Sequence, residues 1–335
     1  MSLAATFIIM NDIPPRWISL RTGEALPLPQ DTMGRLVYAL DLVTSVSGAS
    51  WMSDRRWDFA PSRTIKYKPP RRTVFLVRSI IHFIAYRLVT DVIDTYVKQL
   101  SFQTTLNRPV SHALPVLDQV LCGVAIGMFH LCNLSSANRL LSILFVASGL
   151  TSPSSWPSFF ENPLFASSLQ DFWSNRWHYL FRRSFTHIGD SLLSLLFPLN
   201  ALKLPKDMVR ASRVLLTFVM STLLHLVIMY RLPADPVHPH RYFWDASIMA
   251  FFLIQPVGLA IDACMVYSGL SSRWRRVFAW GFLLWTSRWW ADVYVKKGLW
   301  DRTEQIVDWS PVRGILFGDW WPNPAPHPHR GTFGS

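Results

Sequence analysis

Along the chain, apolar residues gather into runs long enough to be transmembrane helices, divided by polar connectors rich in Arg, Lys and Pro. Crossing a bilayer takes about 20 predominantly apolar residues. Thr73 to Val97 reaches that length but carries Arg78, His82, Arg87, Asp91 and Asp94, so one of its sides must face protein or water. Ala113 to Leu134 is cleaner, with Asp118 near one end. Val214 to Tyr230 contains no Asp, Glu, Lys or Arg, and Ala246 to Ile261 is free of charge between Asp245 and Asp262. Val277 to Val295 is rich in Trp and interrupted by Arg288. These five runs predict spans.

Three further stretches are ambiguous. Residues 34–51 are mildly apolar, Leu140 to Leu150 is too short to cross alone and reads as a re-entrant or tilted piece, and Ser191 to Leu202 is again short. Residues 1–33, punctuated by Pro, read as a loose or interfacial segment. Residues 34–318 read as one membrane domain, and the Pro- and His-rich stretch 319–335 as a disordered tail. The expected fold class is all-α, a multi-pass integral membrane helical bundle with short or re-entrant helices and no sheet domain. Lipid admits only helices and closed barrels, because it offers backbone N–H and C=O groups no partners.

Composition supports this. Half of the residues are hydrophobic and only 16% are charged, against about 25% charged in a soluble domain. The formal net charge of +12 would suggest nucleic acid in a soluble protein. Here it falls in clusters before apolar runs: Arg63 to Arg72, Lys203 to Arg213, and Arg273 to Arg276. That is the pattern of cytoplasmic loops flanking spans, so no nucleic-acid partner is expected. Such loops also attract anionic lipid heads and polyanionic cofactors. Cys122, Cys132 and Cys264 are too few for a disulfide framework. Val237-His-Pro-His-Arg241 and Pro326-His-Pro-His-Arg330 echo one another, but paired His around a Pro in loops makes no convincing metal site, and none is expected. A phosphate loop, a nucleophile elbow and the paired-His motifs of membrane di-iron enzymes do not occur in the sequence.

The candidate chemistry lies in two places. His225 sits within Leu223-Leu224-His225-Leu226-Val227, near the middle of the cleanest run. An ionisable residue there is costly and marks a functional site by default, although an imidazole bonded to a neighbouring helix for packing is the plain alternative. Ser221 and Thr222 lie one helical turn earlier, and either hydroxyl could fix one ring nitrogen and leave the other free as a general base. The second place is Phe172 to Arg183. Read as a helix, Phe172, Trp173, Trp177, Leu180 and Phe181 form an aromatic stripe opposite a polar face of Asn175, His178 and Arg182. Any interfacial helix has that character too.

Asn162-Pro163-Leu164-Phe165, Ser168-Leu169 and Phe172-Trp173-x-x-Arg176-Trp177-His178 resemble the signature of the wax-synthase branch of the membrane-bound O-acyltransferases. Phe218 to His225 resembles the family segment Phe-x-x-Ser-Gly-x-x-His, and Phe251 to Pro256 resembles its next span. In character the chain is similar to fungal members, several of which acetylate terpenoid alcohols. The resemblance implies an endoplasmic-reticulum enzyme built around a central acyl-transfer cavity, with no permanently bound cofactor. It implies acetyl-CoA or another acyl-CoA as co-substrate and a hydrophobic alcohol as acceptor. His225 would be the general base, His178 or Asn175 would assist at the thioester carbonyl, and Arg176, Arg182 and Arg183 would contact the CoA phosphates. One departure is Thr222, where the family has Gly, which predicts a narrower tunnel or an altered setting for the imidazole. Alternatives are a wax-ester synthase using long-chain acyl-CoA, and a non-catalytic membrane carrier or decayed paralogue.

Overall fold

In a computed structural model, residues 14–45, 48–52, 54–60, 68–99, 114–177, 189, 192–193, 205–231, 243–296, 307 and 309–321 are described. The helices are α1 (Thr32–Thr44), α2 (Arg72–Gln99), α3 (Val116–Ala147), α4 (Lys206–Arg231), α5 (Ala246–Leu253), α6 (Gln255–Tyr267), α7 (Ser272–Lys296) and α8 (Pro311–Phe317). Among the described residues, four stretches are long and apolar enough to cross a membrane: Arg72–Val97, Val116–Ala147, Lys206–Arg231 and Ala246–Tyr267. The helical membrane bundle expected from the apolar runs is thus the observed architecture. The fifth expected span, α7, has the length with 25 residues, but Arg288 and Asp292 are buried in it. Its C-terminal part, from Thr286 to Tyr294, is the portion that packs most closely into the bundle, and α7 is not among the stretches apolar enough to cross by themselves.

Three local expectations change. Leu140 to Leu150 is no separate piece: its residues through Ala147 are the last turns of α3, which runs unbroken for 32 residues. The polar stretch that seemed to divide it is satisfied inside the protein. Ser135, Ser136, Asn138 and Ser142 are buried, and the Ser136 and Ser142 hydroxyls donate to carbonyls three residues back in the same helix. Within 34–51, an ordered helix α1 forms, N-capped by Asp31, whose carboxylate accepts the Gly34 N–H. Residues near the start are not wholly loose either. Trp17–Ser19 (β1) pairs antiparallel with Arg55–Trp57 (β2), and Trp17, Leu42 and Trp57 form a small core. The buried Asp41 holds that unit together by accepting from Trp17 Nε1 at 2.8 Å, Ser45 Oγ at 2.9 Å and the Trp51 N–H at 2.9 Å. Ser191 to Leu202, the tail from 322 and the first His-Pro-His segment lie outside the described residues, apart from residues 192–193.

Within the bundle, polar ties fix how the helices pair. α2 and α3 run antiparallel: Arg72 donates to the Ala147 carbonyl at one end and Arg87 to Asn133 further along. α3 and α7 run side by side in the same sense, Gln119 meeting Arg288 and His130 meeting Tyr294. Gly123 lets them close, since a Cβ there would lie 2.2 Å from the Ser287 hydroxyl. α5 and α6 are two halves of one span broken at Pro256, which has no N–H to continue the ladder. Gln255 repairs the break by donating its side-chain amide to the Phe251 carbonyl at 2.9 Å. α6 and α7 are joined by Asp262, only 1% exposed, which accepts both Arg275 and the Gln170 N–H. α8 is clipped to α2 through Ser310 and Val312 on Asp91 and Arg313 on Asp94.

An integral bundle of this kind stays with the membrane when peripheral contacts are stripped. The protein is expected in the pellet after alkaline carbonate treatment and in solution only after detergent, as read by fractionation and immunoblot.

Candidate functional site

The site builds outward from α4. His225 lies on its buried side with Phe218, Thr222, Leu226 and Met229. The imidazole stacks on Phe252 of α5, centroids 4.3 Å apart and planes 28° apart, and meets Trp290 of α7 edge-on at 5.3 Å and 84°. Its Nδ1 is 2.7 Å from the Ser221 carbonyl. A carbonyl only accepts, so Nδ1 carries the hydrogen and Nε2 keeps a bare lone pair. The fixing group is therefore the helix backbone. The Ser221 hydroxyl stands farther off, at 3.5 Å. Thr222 turns its hydroxyl back to the Phe218 carbonyl at 2.7 Å and makes no hydrogen bond to the imidazole.

A second imidazole, which the reading of the sequence passed over, stands on the other side of this core. His130 of α3 directs Nδ1 to the Ile126 carbonyl at 2.7 Å, so its Nε2 is bare in the same way. Its ring meets Tyr294 at 4.9 Å and Trp290 at 5.8 Å. The signal was available: His130 interrupts an apolar run just as His225 does. Trp290, 9% exposed, touches both imidazoles as well as Phe251 and Phe252.

The connector before α4 reaches this wall. A helical turn, Leu169–Asp171, passes into a π-helical turn, Phe172–Arg176, closed by the Trp177 N–H on the Phe172 carbonyl. The expected single aromatic stripe is split by that turn. Phe172 and Trp177 stack on each other, centroids 5.5 Å apart, while Trp173 points away to Phe218 and Phe251 and donates Nε1 to Gln255 at 3.0 Å. The regular helix ends at Arg176, because Trp177 is extended. Of the face expected to join Asn175 to His178 and Arg182, Asn175 is the described member. His178, Arg182 and Arg183 lie outside the described residues.

Asn175 and Arg176 converge on Asp171. Its carboxylate accepts from Asn175 Nδ2 at 3.1 Å, Arg176 Nε at 2.7 Å and the Ser167 N–H at 3.0 Å. Arg176 also donates to the carbonyls of Glu161 and Asn162. Asn162, at φ 43°, takes the left-handed backbone that short polar residues tolerate. Burial alone would raise the Asp171 carboxyl, but the Ser167 N–H, Arg176 and Asn175 outweigh it and hold it down at about 2. At the start of α4, a cleft of about 510 Å³ is lined by Lys206, Val209, Arg210 and Arg213. At 1.5 Å per residue, Arg213 lies roughly 18 Å along the helix from His225. The expected absence of a metal site remains an expectation: among the described residues, His, Cys, Asp and Glu form no group of three that could hold an ion.

The profile of the Membrane bound O-acyl transferase family matches residues 156–254, from the connector through α4 and α5. Acetyltransferase ple2 of Rhodocybe pseudopiperita is 23% identical over 96% of this chain and 82% of its own length. Acetyltransferase atnC of Arthrinium sp is 39% identical over 66% of this chain and 54% of its own. Acetyltransferase ataH of Aspergillus terreus is 31% identical over 43% of this chain and 48% of its own. The matches thus span about half the length of atnC and ataH.

The Asp171 knot gives a prediction of its own. Its folded pKa lies below the ordinary 3.8, so the stabilisation is fully present above pH 4 and is lost as pH falls through about 2. Asp171→Asn should cost about 2 kcal/mol at neutral pH. In detergent, the melting-temperature gap between wild type and variant should be widest above pH 5 and narrow steadily below pH 4.

Proposed function

We propose that this chain, which is similar to the Membrane bound O-acyl transferase family over residues 156–254 and to fungal acetyltransferases, transfers acetyl from acetyl-CoA to a hydroxyl of a terpenoid or other secondary metabolite, with His225 as the general base. The carrying observation is the fixed imidazole: Nδ1–H spent on the Ser221 carbonyl, and Nε2 a bare acceptor beside Phe252 and Trp290. The names of the curated relatives, all acetyltransferases, favour acetyl over a longer acyl group. The work takes place at the endoplasmic-reticulum membrane.

An alcohol is a weak nucleophile until its proton is removed. In the proposed reaction the acceptor oxygen attacks the thioester carbonyl while Nε2 of His225 takes the hydroxyl proton. The carbonyl oxygen becomes an oxyanion and needs donors aimed at it; His178, the next residue after Trp177, is the proposed donor. The intermediate collapses, the C–S bond breaks, and the imidazolium returns its proton to the leaving thiolate. The products are the acetate ester and CoA, with His225 neutral again. Asn175 acts through Asp171, holding the connector in place.

Arg176 is engaged by Asp171 and two carbonyls, and it serves the same purpose. The phosphates of CoA are better matched by the cleft of Lys206, Arg210 and Arg213, with Arg182 and Arg183 as neighbours in sequence. The pantetheine arm contains about a dozen bonds, equivalent to four or five extended residues or about 15 Å. The helix provides a similar separation between the cleft and the base.

Microsomes carrying the protein, supplied with labelled acetyl-CoA and a panel of terpenoid alcohols, should form acetate esters, with palmitoyl-CoA a poor substitute. His225→Ala should lower turnover roughly 10²–10⁴-fold at unchanged protein level, and His178→Ala should cost less. Full turnover by a well-folded His225→Leu protein would remove the base from the mechanism. Separately, Arg210→Ala should raise KM for acetyl-CoA about tenfold, as expected for loss of a charged hydrogen bond, with kcat near wild type. A KM that does not move would place the phosphates elsewhere.

A further inference from the structure

The acetyl-transfer reading uses one imidazole, and the core contains two. His130 and His225 come from helices far apart in sequence, α3 and α4, and both touch Trp290, at 5.8 Å and 5.3 Å. Their centres can therefore be no farther apart than those two distances laid end to end. Each ring has its Nδ1–H committed to a carbonyl four residues back in its own helix, at 2.7 Å in both cases. Each therefore offers Nε2 as an acceptor only. Among the described residues, no donor bonds to either Nε2. Both rings are part-buried rather than sealed in, and an imidazole inside an apolar span is costlier than the Leu or Phe that would pack there.

Two such acceptors set against Trp290, Phe252 and Tyr294 describe a ligand. Its body is rigid and apolar enough to lie against aromatic rings, and it carries two hydrogen-bond donors. The hydroxyl being acetylated gives its proton to His225 and has no second one to offer. A donor for His130 then has to come from another group, and a second hydroxyl on the same molecule would supply it.

We propose that His130 is an acceptor-binding residue and that the enzyme's preferred alcohols carry a second hydroxyl, which donates to His130 Nε2 while the reacting hydroxyl faces His225. This rests on the acyl-transfer reading above and deepens it by naming the class of acceptor: a compact polycyclic diol or polyol. His130 takes no part in the proton transfer, because the proton removed by His225 returns to the thiolate. Its contribution is to binding and orientation, so it governs which alcohols are used.

The test compares matched alcohols on the full-length protein in microsomes: decalin-2-ol against decalin diols, and a steroid-sized mono-ol against the corresponding diol, each with labelled acetyl-CoA. Wild type should prefer the diol of a pair by about tenfold in kcat/KM, as one neutral hydrogen bond implies. His130→Phe, which keeps an aromatic ring and removes the acceptor, should bring that ratio close to one, mainly through KM for the diol. His130→Gln, which restores an acceptor oxygen, should recover part of the preference. A ratio near one in wild type, or a ratio that survives His130→Phe, overturns the proposal while leaving acetyl transfer standing. Equal losses on mono-ol and diol with a lowered melting temperature would show a packing role and overturn it as well. If wild type acetylates none of the alcohols, the acetyl-transfer reading itself fails, and this one with it.

Discussion

A polar side chain inside a membrane-length helix must find its partner within the protein, and this requirement sets most of the long-range geometry here. Lipid tails are as apolar as leucine, so helices in a bilayer gain little by hiding apolar faces from them. Close packing and polar ties must do that work. Gln255 illustrates it: it mends the backbone break at Pro256, receives Trp173 from the connector and donates to Thr286 of α7. Asp262 does the same for α6, α7 and the turn at Gln170. Arg288 completes the pattern without a carboxylate among its bonds to described residues. It donates to Gln119 and the Trp285 carbonyl and sits 3.5 Å over the Trp285 ring. Each tie joins elements that no local preference would bring together.

The same requirement shapes the site. An imidazole in an apolar span has one ring nitrogen that must donate and one that must accept. The nearest acceptor is always available, because the carbonyl four residues back already lies on the same side of the helix. That choice is made at both His130 and His225. It fixes the tautomer without any second residue, which is why neither the Ser221 nor the Thr222 hydroxyl is needed. The hydroxyl that Thr222 adds to the helix is absorbed by the Phe218 carbonyl, as Ser and Thr often manage within helices.

Much of this was legible in the sequence, and the rest failed for identifiable reasons. Length and apolarity alone locate α2, α4 and the α5–α6 span, since those runs contain few breaks. α3 was cut in two because Ser135, Ser136, Asn138 and Arg139 read as a connector; hydropathy does not say that serines bond their own helix and face protein. α7 read as a span because its Trp residues outweighed Arg288, yet Arg288 and Asp292 are buried and it is its C-terminal part that packs most closely into the bundle. The proposed base stood out because the polar residues near His225 in its run are only Ser221 and Thr222. His130 stands out less because Asn133, Ser135 and Ser136 follow it within two turns, so it reads as the polar edge of an apolar run. The break at Trp177 was not legible either: a π-helical turn differs from an α-helical one by a single residue, and only the pull of Asp171 on Asn175 and Arg176 reveals it.

A further consequence concerns division of labour. A base whose only N–H is spent on its own helix can take a proton but cannot polarise a carbonyl. The donor to the oxyanion must then come from a different element, and that element has to be held against the base with comparable rigidity. The connector meets that condition. Trp173 anchors it to Gln255, Phe218 and Phe251 on the same aromatic wall as His225, and Asp171 locks the turn beneath it. The chain leaves this anchored turn at Trp177, one residue before His178. If the proposed donor follows the connector and the proposed base stays on α4, each is oriented by its own neighbours, so a change in the connector would alter carbonyl activation without disturbing the imidazole of His225.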